Sequence, residues 1–230
     1  MNPSSADRTA IFGKLRQRLA PAGDDPARRS AVAARLAHQA PHLIPERVTG
    51  RDPEQLLALF RGFLEGQSAT VIEVATAADV PGAVAGYLRA NNLPARLRVG
   101  DDAYLSQLPW EHEPQLERLR GHATADDEVG LTHALAAVAE TGTLVHASGP
   151  DNPVTLNFLP ETSIAVLRAA DLTGAYETAW ERVRSRFGRG GLPRTINFVS
   201  GPSRTADIGG KLVTGAHGPR RLCVVVVKAP

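Results

Sequence analysis

A stretch of nine residues, 200–208, concentrates side chains suited to binding a small anion. Ser203 and Thr205 carry hydroxyls, and Arg204 carries a planar guanidinium with five N–H donors. Asp207 adds a carboxylate that is suited to capping a helix, orienting Arg204 or accepting a hydrogen bond. Because ligands of α/β folds bind at the carboxyl ends of strands, this stretch predicts one half of an anion or carboxylate site.

The residues before this stretch predict that it forms a loop. Residues 195–199 are an apolar run typical of a buried strand. Gly201 and Pro202 follow that run and predict a bend in the backbone. A capped turn is the alternative interpretation, because Ser, Thr and Asp side chains near a helix start are usually caps.

A second group of candidates, Glu140–Thr143, is predicted to form the other half of the site. Glu140 is predicted to end a helix, just before a glycine turn and a strand. A partly buried carboxylate there can act as a nucleophile or general base, and an ordinary solvated helix-end residue is the alternative. Gly142 is expected to allow close backbone approach to a ligand, and Thr141 and Thr143 add hydroxyl donors.

A third group, Gly215–Pro219, leads into the last predicted strand. The imidazole of His217 lies between two glycines of the sequence and can reach a ligand as a donor or an acid. A loop histidine with ordinary partners is the alternative, and Gly218 is grouped with the ligand-binding candidates. All three groups flank predicted strands, which favours one shared site over three capped turns.

Strands that alternate with helices predict an α/β fold with a mainly parallel sheet and helices on both faces. The predicted strands are 70–74, 96–99, 143–146, 163–167, 195–199 and 221–228. The predicted helices of this region are 80–89, 132–138 and 173–187. The stretch 100–130 is predicted to be an irregular insertion with one edge strand near 116–119.

The chain before these strands predicts helices. Asp25 and Asp52 each precede a proline, which is typical of a helix N-cap followed by the first helical position. Helices from these two starts, with one over 5–20, predict an N-terminal helical segment over residues 1–68. We expect this segment to pack on the main α/β domain, residues 69–230, although its amphipathic faces also fit a partner protein.

Composition excludes several classes of function. The formal net charge of +2 is too small to indicate a nucleic-acid partner. The chain has one cysteine, Cys223, so it cannot by itself supply the thiolates of an iron–sulfur cluster or a Cys-type zinc site. A cytoplasmic protein is expected, because the N-terminus lacks a signal-peptide pattern and the apolar run 222–227 is too short to span a bilayer.

Common site motifs are incomplete in this sequence. The dinucleotide fingerprint is absent, and Leu212 stands where a P-loop requires a hydroxyl. Thr205 stands where a nucleophile elbow requires glycine. His133 and His146 are the histidine pair nearest to the predicted site in sequence, which is a weak indication of a metal, and none is predicted.

The three groups occur together and in one order, with a Leu159–Pro160 turn between the second group and the strand at 163–167. In this combination, over residues 70–228, the chain resembles the LUD-domain family. The resemblance implies a bacterial, cytoplasmic protein with an α/β fold similar to the group of glucosamine-6-phosphate deaminase, ribose-5-phosphate isomerase and CoA-transferases.

The resemblance also implies a function. It implies a component of an L-lactate utilization system that takes part, with iron–sulfur partner proteins, in the oxidation of L-lactate to pyruvate. The clusters are expected on those partners, and this chain is expected to hold no cofactor or redox group of its own. Its site would bind a small carboxylate through Arg204, while His217 handles a proton.

Two alternatives stay open. The chain can be a non-catalytic assembly or regulatory subunit that binds a small anion and docks partners through its N-terminal helices. It can also be a CoA- or acyl-transferase-like enzyme that uses Glu140, by analogy with CoA-transferases, which use a glutamate. A buried Glu140 with a raised pKa favours the transferase, and an exposed apolar face within residues 5–65 favours the docking subunit.

Overall fold

The structure, a computed structural model, describes residues 5–19, 25–38, 43–188, 190–206 and 210–229. The chain forms two compact units, Met1–Leu43 and Ile44–Pro230. The helices of the first unit are α1 (Ser5–Leu19) and α2 (Pro26–Ala37). Asp25 caps α2 by accepting a hydrogen bond from the backbone N–H of Ala27, as the Asp-Pro pattern predicted.

The second unit contains helices and strands in alternation. Its helices are α3 (Pro53–Gly66), α4 (Val80–Ala90), α5 (Ala103–Gln107), α6 (Val154–Phe158) and α7 (Tyr176–Phe187). Its strands are β1 (Thr70–Val74), β2 (Arg96–Val99), β3 (Glu117–Arg120), β4 (Val129–His133), β5 (Ala136–Val138), β6 (Thr143–Ala147), β7 (Thr162–Arg168), β8 (Leu172–Thr173), β9 (Ile196–Val199), β10 (Arg204–Thr205), β11 (Val213–Thr214) and β12 (Arg221–Val227).

The main sheet has six strands in the order β1-β12-β7-β4-β2-β3, and every neighbouring pair is parallel. The predicted α/β class with a mainly parallel sheet is therefore confirmed. The predicted strand near 116–119 is β3, at the edge of this sheet.

A second sheet of four strands has the order β8-β5-β6-β9. Strands β5 and β8 are parallel, whereas β6 is antiparallel to both β5 and β9. Strands β10 and β11 form a separate antiparallel ribbon. The predicted strand before the 200–208 stretch is β9, so it belongs to this mixed sheet, where it pairs antiparallel with β6, and not to the main parallel sheet.

Both faces of the main sheet are covered. Along β12, Cys223 and Val225 face a core shared with α4, whereas Val224 and Val226 face a core shared with α3. Alternate residues of one strand thus reach opposite apolar layers, which is why the run is uninterrupted by polar residues. The helix α3 begins at the predicted cap, Asp52, whose carboxylate accepts a hydrogen bond from the backbone N–H of Gln55.

The prediction of a helix over 132–138 is wrong. This segment holds the end of β4 and the whole of β5. Ala134, Ala136 and Ala137 favour a helix by intrinsic propensity, but all three are fully buried between packed layers. Burial of a short apolar strand outweighs a propensity difference of less than about 1 kcal/mol per residue.

The domain boundary predicted between residues 68 and 69 lies within the second unit, between α3 and β1. Leu57, Phe60 and Leu64 of α3 are buried in the same apolar cluster as β12.

Among the described residues, the helices are all too short or too polar to cross a membrane.

Candidate functional site

The predicted group Glu140–Thr143 lies at the turn of the β5–β6 hairpin and at the start of β6. Because β6 pairs antiparallel with β9, Thr143 lies beside Ser200, with their hydroxyl oxygens 2.5 Å apart. The Thr143 hydroxyl oxygen also lies 2.6 Å from that of Thr141 and 3.0 Å from that of Tyr176. The antiparallel pairing thus joins the first two predicted groups through a cluster of four hydroxyls.

Glu140 is in the hairpin turn, so its predicted place at a helix end is wrong. Its residue is 9% exposed, and its Oε2 atom has no hydrogen-bond partner among the described residues. Burial raises the pKa of Glu140, the charge of Arg47 opposes this effect, and the charge of Glu177 adds to it. The carboxyl group is therefore destabilised in its ionised form.

Gly142 adopts the left-handed backbone conformation, with φ of 62°. A Cβ atom at this position would lie 2.7 Å from the Cβ of Phe63 and 3.1 Å from the backbone nitrogen of Leu64. The close approach that Gly142 permits is thus that of helix α3. Its predicted role in ligand binding stays a prediction.

Arg204 is exposed, and its guanidinium is bonded to the turn after α3. It donates to the Ser68 hydroxyl at 2.6 Å and to the Gln67 side-chain oxygen at 3.5 Å. Gly201, with φ of 101°, lets the loop lie against the same turn, because a Cβ there would lie 2.8 Å from the Cβ of Gln67. Arg204 therefore anchors the loop in addition to offering a cation to a ligand.

Ser203, His217 and Gly218 border one cavity of about 260 Å³, together with Arg204. The Ser203 hydroxyl accepts a hydrogen bond from the backbone N–H of His217 at 3.2 Å. Residues at the starts of β7 and β12 also line this cavity, so it lies at the amino edge of the main sheet. We name it the amino-edge cavity.

One buried residue of this cavity did not figure in the sequence prediction. Asn157 is 3% exposed, and neither its side-chain nitrogen nor its side-chain oxygen has a hydrogen-bond partner among the described residues. A buried amide without partners costs about 1–3 kcal/mol per group. Asn157 is therefore the lining group with the greatest unused capacity for hydrogen bonding.

The structure brings the first and third predicted groups together at the amino-edge cavity, and it connects the second group to them through the contact of Thr143 with Ser200. Thr205 pairs with Val213 in the β10–β11 ribbon and is 8% exposed. Asp207 lies outside the described residues. Whether these residues bind a ligand stays a prediction.

A larger pocket, of about 900 Å³, lies at the opposite edge of the main sheet. It is bordered by Asp102 after β2, by His133 at the end of β4 and by Arg168 at the end of β7. These are the carboxyl ends of neighbouring parallel strands. We name it the carboxyl-edge pocket, and it occupies the place where α/β sheets commonly bind ligands.

A histidine and an aspartate form a pair in the carboxyl-edge pocket. His133 Nδ1 lies 3.3 Å from Asp102 Oδ2, and the other oxygen of Asp102 accepts a hydrogen bond from the backbone N–H of Leu105 at 2.8 Å. Burial on its own would raise the pKa of Asp102, but the bonds from His133 and Leu105 lower it below its usual value. Asp102 is thus held as a carboxylate that orients the imidazole.

Tyr104 stacks on the imidazole of His133, with ring centroids 4.6 Å apart. Burial raises the pKa of Tyr104, so its hydroxyl keeps its proton at neutral pH. The Tyr104 hydroxyl and His133 Nε2 are both buried, and neither has a hydrogen-bond partner within the described part of the chain. Two oriented polar atoms of this pocket are therefore free to bind a ligand.

Two guanidinium groups of the same pocket share one carboxylate. Asp171, 5% exposed, accepts hydrogen bonds from Arg168 at 2.6 Å and from Arg182 at 2.7 Å. The guanidinium of Arg168 also lies 5.8 Å from the ring centroid of Tyr104. Two cations on one anion leave a net positive charge beside the His133–Asp102 pair.

A second histidine, His146, is 2% exposed and lies on β6, within interaction distance of His133. Its pKa is lowered to about 4, mainly by burial and also by electrostatic repulsion from His133, while a hydrogen bond with the backbone of His133 acts against both effects. His146 is therefore neutral at pH 7 and supports the strand end that carries His133.

The sequence contained a signal for this pocket. Gly100, Asp101 and Asp102 directly follow a predicted strand, which is the position that the loop argument favoured for 200–208. The assignment of 132–138 to a helix hid His133, since a histidine in a helix interior does not mark the end of a strand.

In the part of the chain that the structure describes, no three His, Cys, Asp or Glu side chains are grouped as metal ligands. Cys223 is fully buried, and burial raises its pKa to about 12. A thiol in that environment is neither a nucleophile nor a metal ligand at neutral pH.

Comparison with known proteins gives both a family and named relatives. A family model described as LUD domain matches residues 57–227. Proteins named Lactate utilization protein C are similar to this chain, with 35% identity over 118 residues in Shouchella clausii and 38% over 120 residues in Halalkalibacterium halodurans. These matches cover 51% and 52% of this chain and 51% of each relative, so the chain spans about half the length of the curated relatives that it matches.

A solved structure shows a similar fold. The crystal structure of a DUF162 family protein from Deinococcus radiodurans is similar with a TM-score of 0.58 and 24% sequence identity. The match covers 77% of this chain and 99% of that chain. At this identity the likeness concerns the fold.

Proposed function

The chain belongs to the LUD domain family, as its motifs predicted, and on this premise we propose that it is a component of a bacterial lactate utilization system. Relatives that are 35–38% identical to it over about half of their length are named Lactate utilization protein C. The motifs shared with the family lie within the matched region, residues 57–227, which supports the transfer of this role. The system is placed in the cytoplasm, as the family resemblance implies.

In the proposed role, the chain takes part in the oxidation of L-lactate to pyruvate, which releases two electrons and two protons. Iron–sulfur clusters on partner proteins accept the electrons, because the one cysteine here, Cys223, is buried inside β12. The contribution of this chain is to bind the small carboxylate.

The carboxyl-edge pocket is the observation that supports a binding role most strongly. It combines the usual ligand position of an α/β sheet with a net positive pair, Arg168 and Arg182, around Asp171. The lining also carries Asp101, Asp102, Asp151 and Glu181, so the positive charge is confined to the arginines, where a planar guanidinium can bind a small carboxylate bidentately.

The amino-edge cavity is the second location for a small carboxylate. Arg204, Ser203 and His217 border it, as the sequence prediction required. Arg204 donates to Ser68 in the structure, so a carboxylate there has to share or replace that bond. This requirement makes the amino-edge cavity the less favourable of the two locations.

Deletion of the gene in the organism that encodes it tests the proposed role. We expect the deletion strain to lose growth on L-lactate and to keep growth on pyruvate, and we expect the wild-type gene to restore growth. Affinity purification of the tagged chain from lactate-grown cells should recover iron–sulfur proteins. Normal growth of the deletion strain on L-lactate would contradict the proposal.

An acyl- or CoA-transferase is a second candidate function, because Glu140 is buried and has a raised pKa. In that reaction the Glu140 carboxylate attacks an acyl thioester and forms an acyl anhydride while the thiolate leaves. Mass spectrometry after incubation with acetyl-CoA should then show an adduct at Glu140 that is absent from Glu140→Gln. An unmodified Glu140 would exclude the reaction with this thioester.

A docking subunit is favoured by the exposed apolar side chains of the first unit. Ile11, Phe12 and Leu15 on α1 are 45–56% exposed, and Leu36 on α2 is 69% exposed. Replacing Ile11 and Leu15 by serine should then reduce recovery of partner proteins in the affinity purification. Unchanged recovery would contradict docking through α1.

A further inference from the structure

We propose that the carboxyl-edge pocket binds a carboxylate with a hydroxyl on the neighbouring carbon, and that His133 Nε2 and the Tyr104 hydroxyl bind that hydroxyl. This inference rests on the proposed function, and it goes beyond it by assigning the substrate to named residues at one edge of the sheet. These residues lie outside the three groups that the sequence singled out.

The protonation of His133 decides which ligand group fits. We assign the neutral imidazole with its proton on Nδ1, because this N–H can donate to Asp102 Oδ2, 3.3 Å away, and in this tautomer Nε2 is a hydrogen-bond acceptor. A buried acceptor without a protein partner among the described residues can take a donor from a bound ligand in place of water. A hydroxyl group supplies that donor, whereas a carboxylate oxygen would be repelled by the same lone pair.

Tyr104 adds a second unsatisfied polar atom to the lining of the same pocket. Its ring stacks on the imidazole with an interplanar angle of 25°, so the two side chains hold each other in one orientation. Its hydroxyl is buried without a hydrogen-bond partner among the described residues, and it can donate to a ligand oxygen as well as accept. One ligand hydroxyl that donates to His133 and accepts from Tyr104 satisfies both atoms.

The carboxylate of the ligand is assigned to Arg168 and Arg182. Their side chains are 46% and 37% exposed, although both are bonded to the buried Asp171. Arg182 also donates to the backbone oxygen of Ala170 at 2.6 Å. Each guanidinium still keeps further N–H donors, since arginine has five. A second carboxylate therefore balances the net positive charge of this triad.

Other charged groups of the pocket act more weakly on a ligand. Asp101, Asp151 and Glu181 border it and are exposed, so solvent and salt screen them. Asp101 is also paired with Arg120 at 3.3 Å. The half-buried Asp102 and the buried Asp171 both accept hydrogen bonds from protein groups, which leaves the arginines and His133 to select the ligand.

Asn152 adds a third unsatisfied atom on the wall formed by the loop after β6. Its side-chain nitrogen donates to the backbone oxygen of Ala147 at 3.2 Å, while its side-chain oxygen is buried without a partner within the described residues. Asn152 is 5% exposed. Three unsatisfied buried atoms that belong to one pocket's lining indicate a polar ligand and not an apolar one.

Isothermal titration calorimetry of the full chain with L-lactate and with pyruvate tests this assignment. His133→Gln is expected to weaken binding of L-lactate at least about tenfold, since it removes the oriented acceptor. Tyr104→Phe keeps the ring stack and removes the hydroxyl, so it is expected to weaken binding about five- to tenfold. The Tyr104 variant keeps the test valid if His133→Gln does not fold.

Asp102 is a positioning residue in this proposal, and its test needs a readout beyond affinity. Addition of L-lactate should shift the ¹⁵N resonance of His133 Nε2 in the wild type. In Asp102→Asn the tautomer preference is lost, so the free protein should already show altered imidazole ¹⁵N resonances, and the shift on adding L-lactate should shrink. A purely structural aspartate would leave the tautomer unchanged.

His112→Gln is the matched control, because His112 is exposed on the turn at Trp110–His112. It should bind L-lactate as the wild type does. Unchanged affinity in both His133→Gln and Tyr104→Phe would overturn the inference, and so would loss of binding in Arg204→Ala alone. If L-lactate does not bind to the wild-type chain, the inference is overturned as well. The growth test of the proposed role does not depend on that result.

Discussion

Two buried side chains, Glu140 and His146, have pKa values shifted in the direction that disfavours charge. Burial raises the pKa of Glu140 and lowers the pKa of His146 to about 4. Each shift means that the folded and unfolded states bind different numbers of protons, so each makes stability depend on pH. The two dependences have opposite signs.

For Glu140 the folded state binds the proton more tightly than the unfolded state. The stability that this carboxyl group contributes is therefore fully present below its pKa in the unfolded state, and it is lost as pH rises through its pKa in the folded state. We expect Glu140→Gln to have a higher melting temperature than the wild type at pH 7, and the difference should vanish near pH 4. Thermal unfolding at both pH values checks this, and a lower melting temperature of the variant at pH 7 would contradict it.

For His146 the unfolded state binds the proton more tightly. Stability is thus complete above the unfolded pKa of about 6.5 and falls as pH decreases towards about 4. The loss is at most roughly 3 kcal/mol, from 1.36 kcal/mol per pKa unit. We expect urea unfolding of His146→Gln to depend less on pH between 7 and 4 than that of the wild type, with His112→Gln as the unchanged control.

The residues of the candidate sites show what single positions can and cannot predict. The hydroxyls, the guanidinium and the histidine of the amino-edge cavity were predicted, because polar groups in glycine-rich loops after strands stand out in a sequence. The His133–Asp102 pair was not, since it depends on which strands are neighbours. Pairing of Val99 with Leu131 places the ends of β2 and β4 side by side, and no local pattern contains that information.

Strand β6 links the two regions of interest. Its first residue, Thr143, contacts Ser200 near the amino-edge cavity, and its last residue, Ala147, borders the carboxyl-edge pocket.

The β-branched runs of the main sheet were predicted because burial on both faces demands them. The alanine-rich β5 was missed because its burial, and not its composition, selects the strand.

The contact between helix α3 and the β5–β6 hairpin depends on Gly142. Gly142→Ala should lower the free energy of unfolding by about 2–4 kcal/mol, because it adds backbone strain at φ of 62° and a Cβ overlap with Phe63. Urea unfolding checks this. Gly62→Ala on α3 is the control, since a Cβ there meets nothing within 4 Å, and it should be neutral or stabilising.

The division of the chain into two units bears on stability as well as on docking. The members of the main apolar clusters fall within residues 56–227, in the second unit. The family model covers nearly the same range, 57–227. The first unit is therefore not expected to supply the core of the second.

Removal of residues 1–43 tests this separation. We expect the remaining chain to unfold cooperatively, with a melting temperature within about 3 °C of that of the full chain. A change of 1 kcal/mol in the free energy of unfolding shifts the melting temperature of a protein of this size by about 2–4 °C. Circular dichroism at 222 nm measures it. Loss of cooperative unfolding would show that the helices of the first unit stabilise the second.

The place of β12 in the main sheet has a consequence for synthesis. It lies between β1 and β7, and both of these strands are made earlier. At a translation rate of about 5–20 residues per second, the nascent β1 waits on the order of ten seconds for its partner. Until then an apolar strand edge is exposed on the ribosome, and this interval is when the chain is most exposed to aggregation and to chaperones.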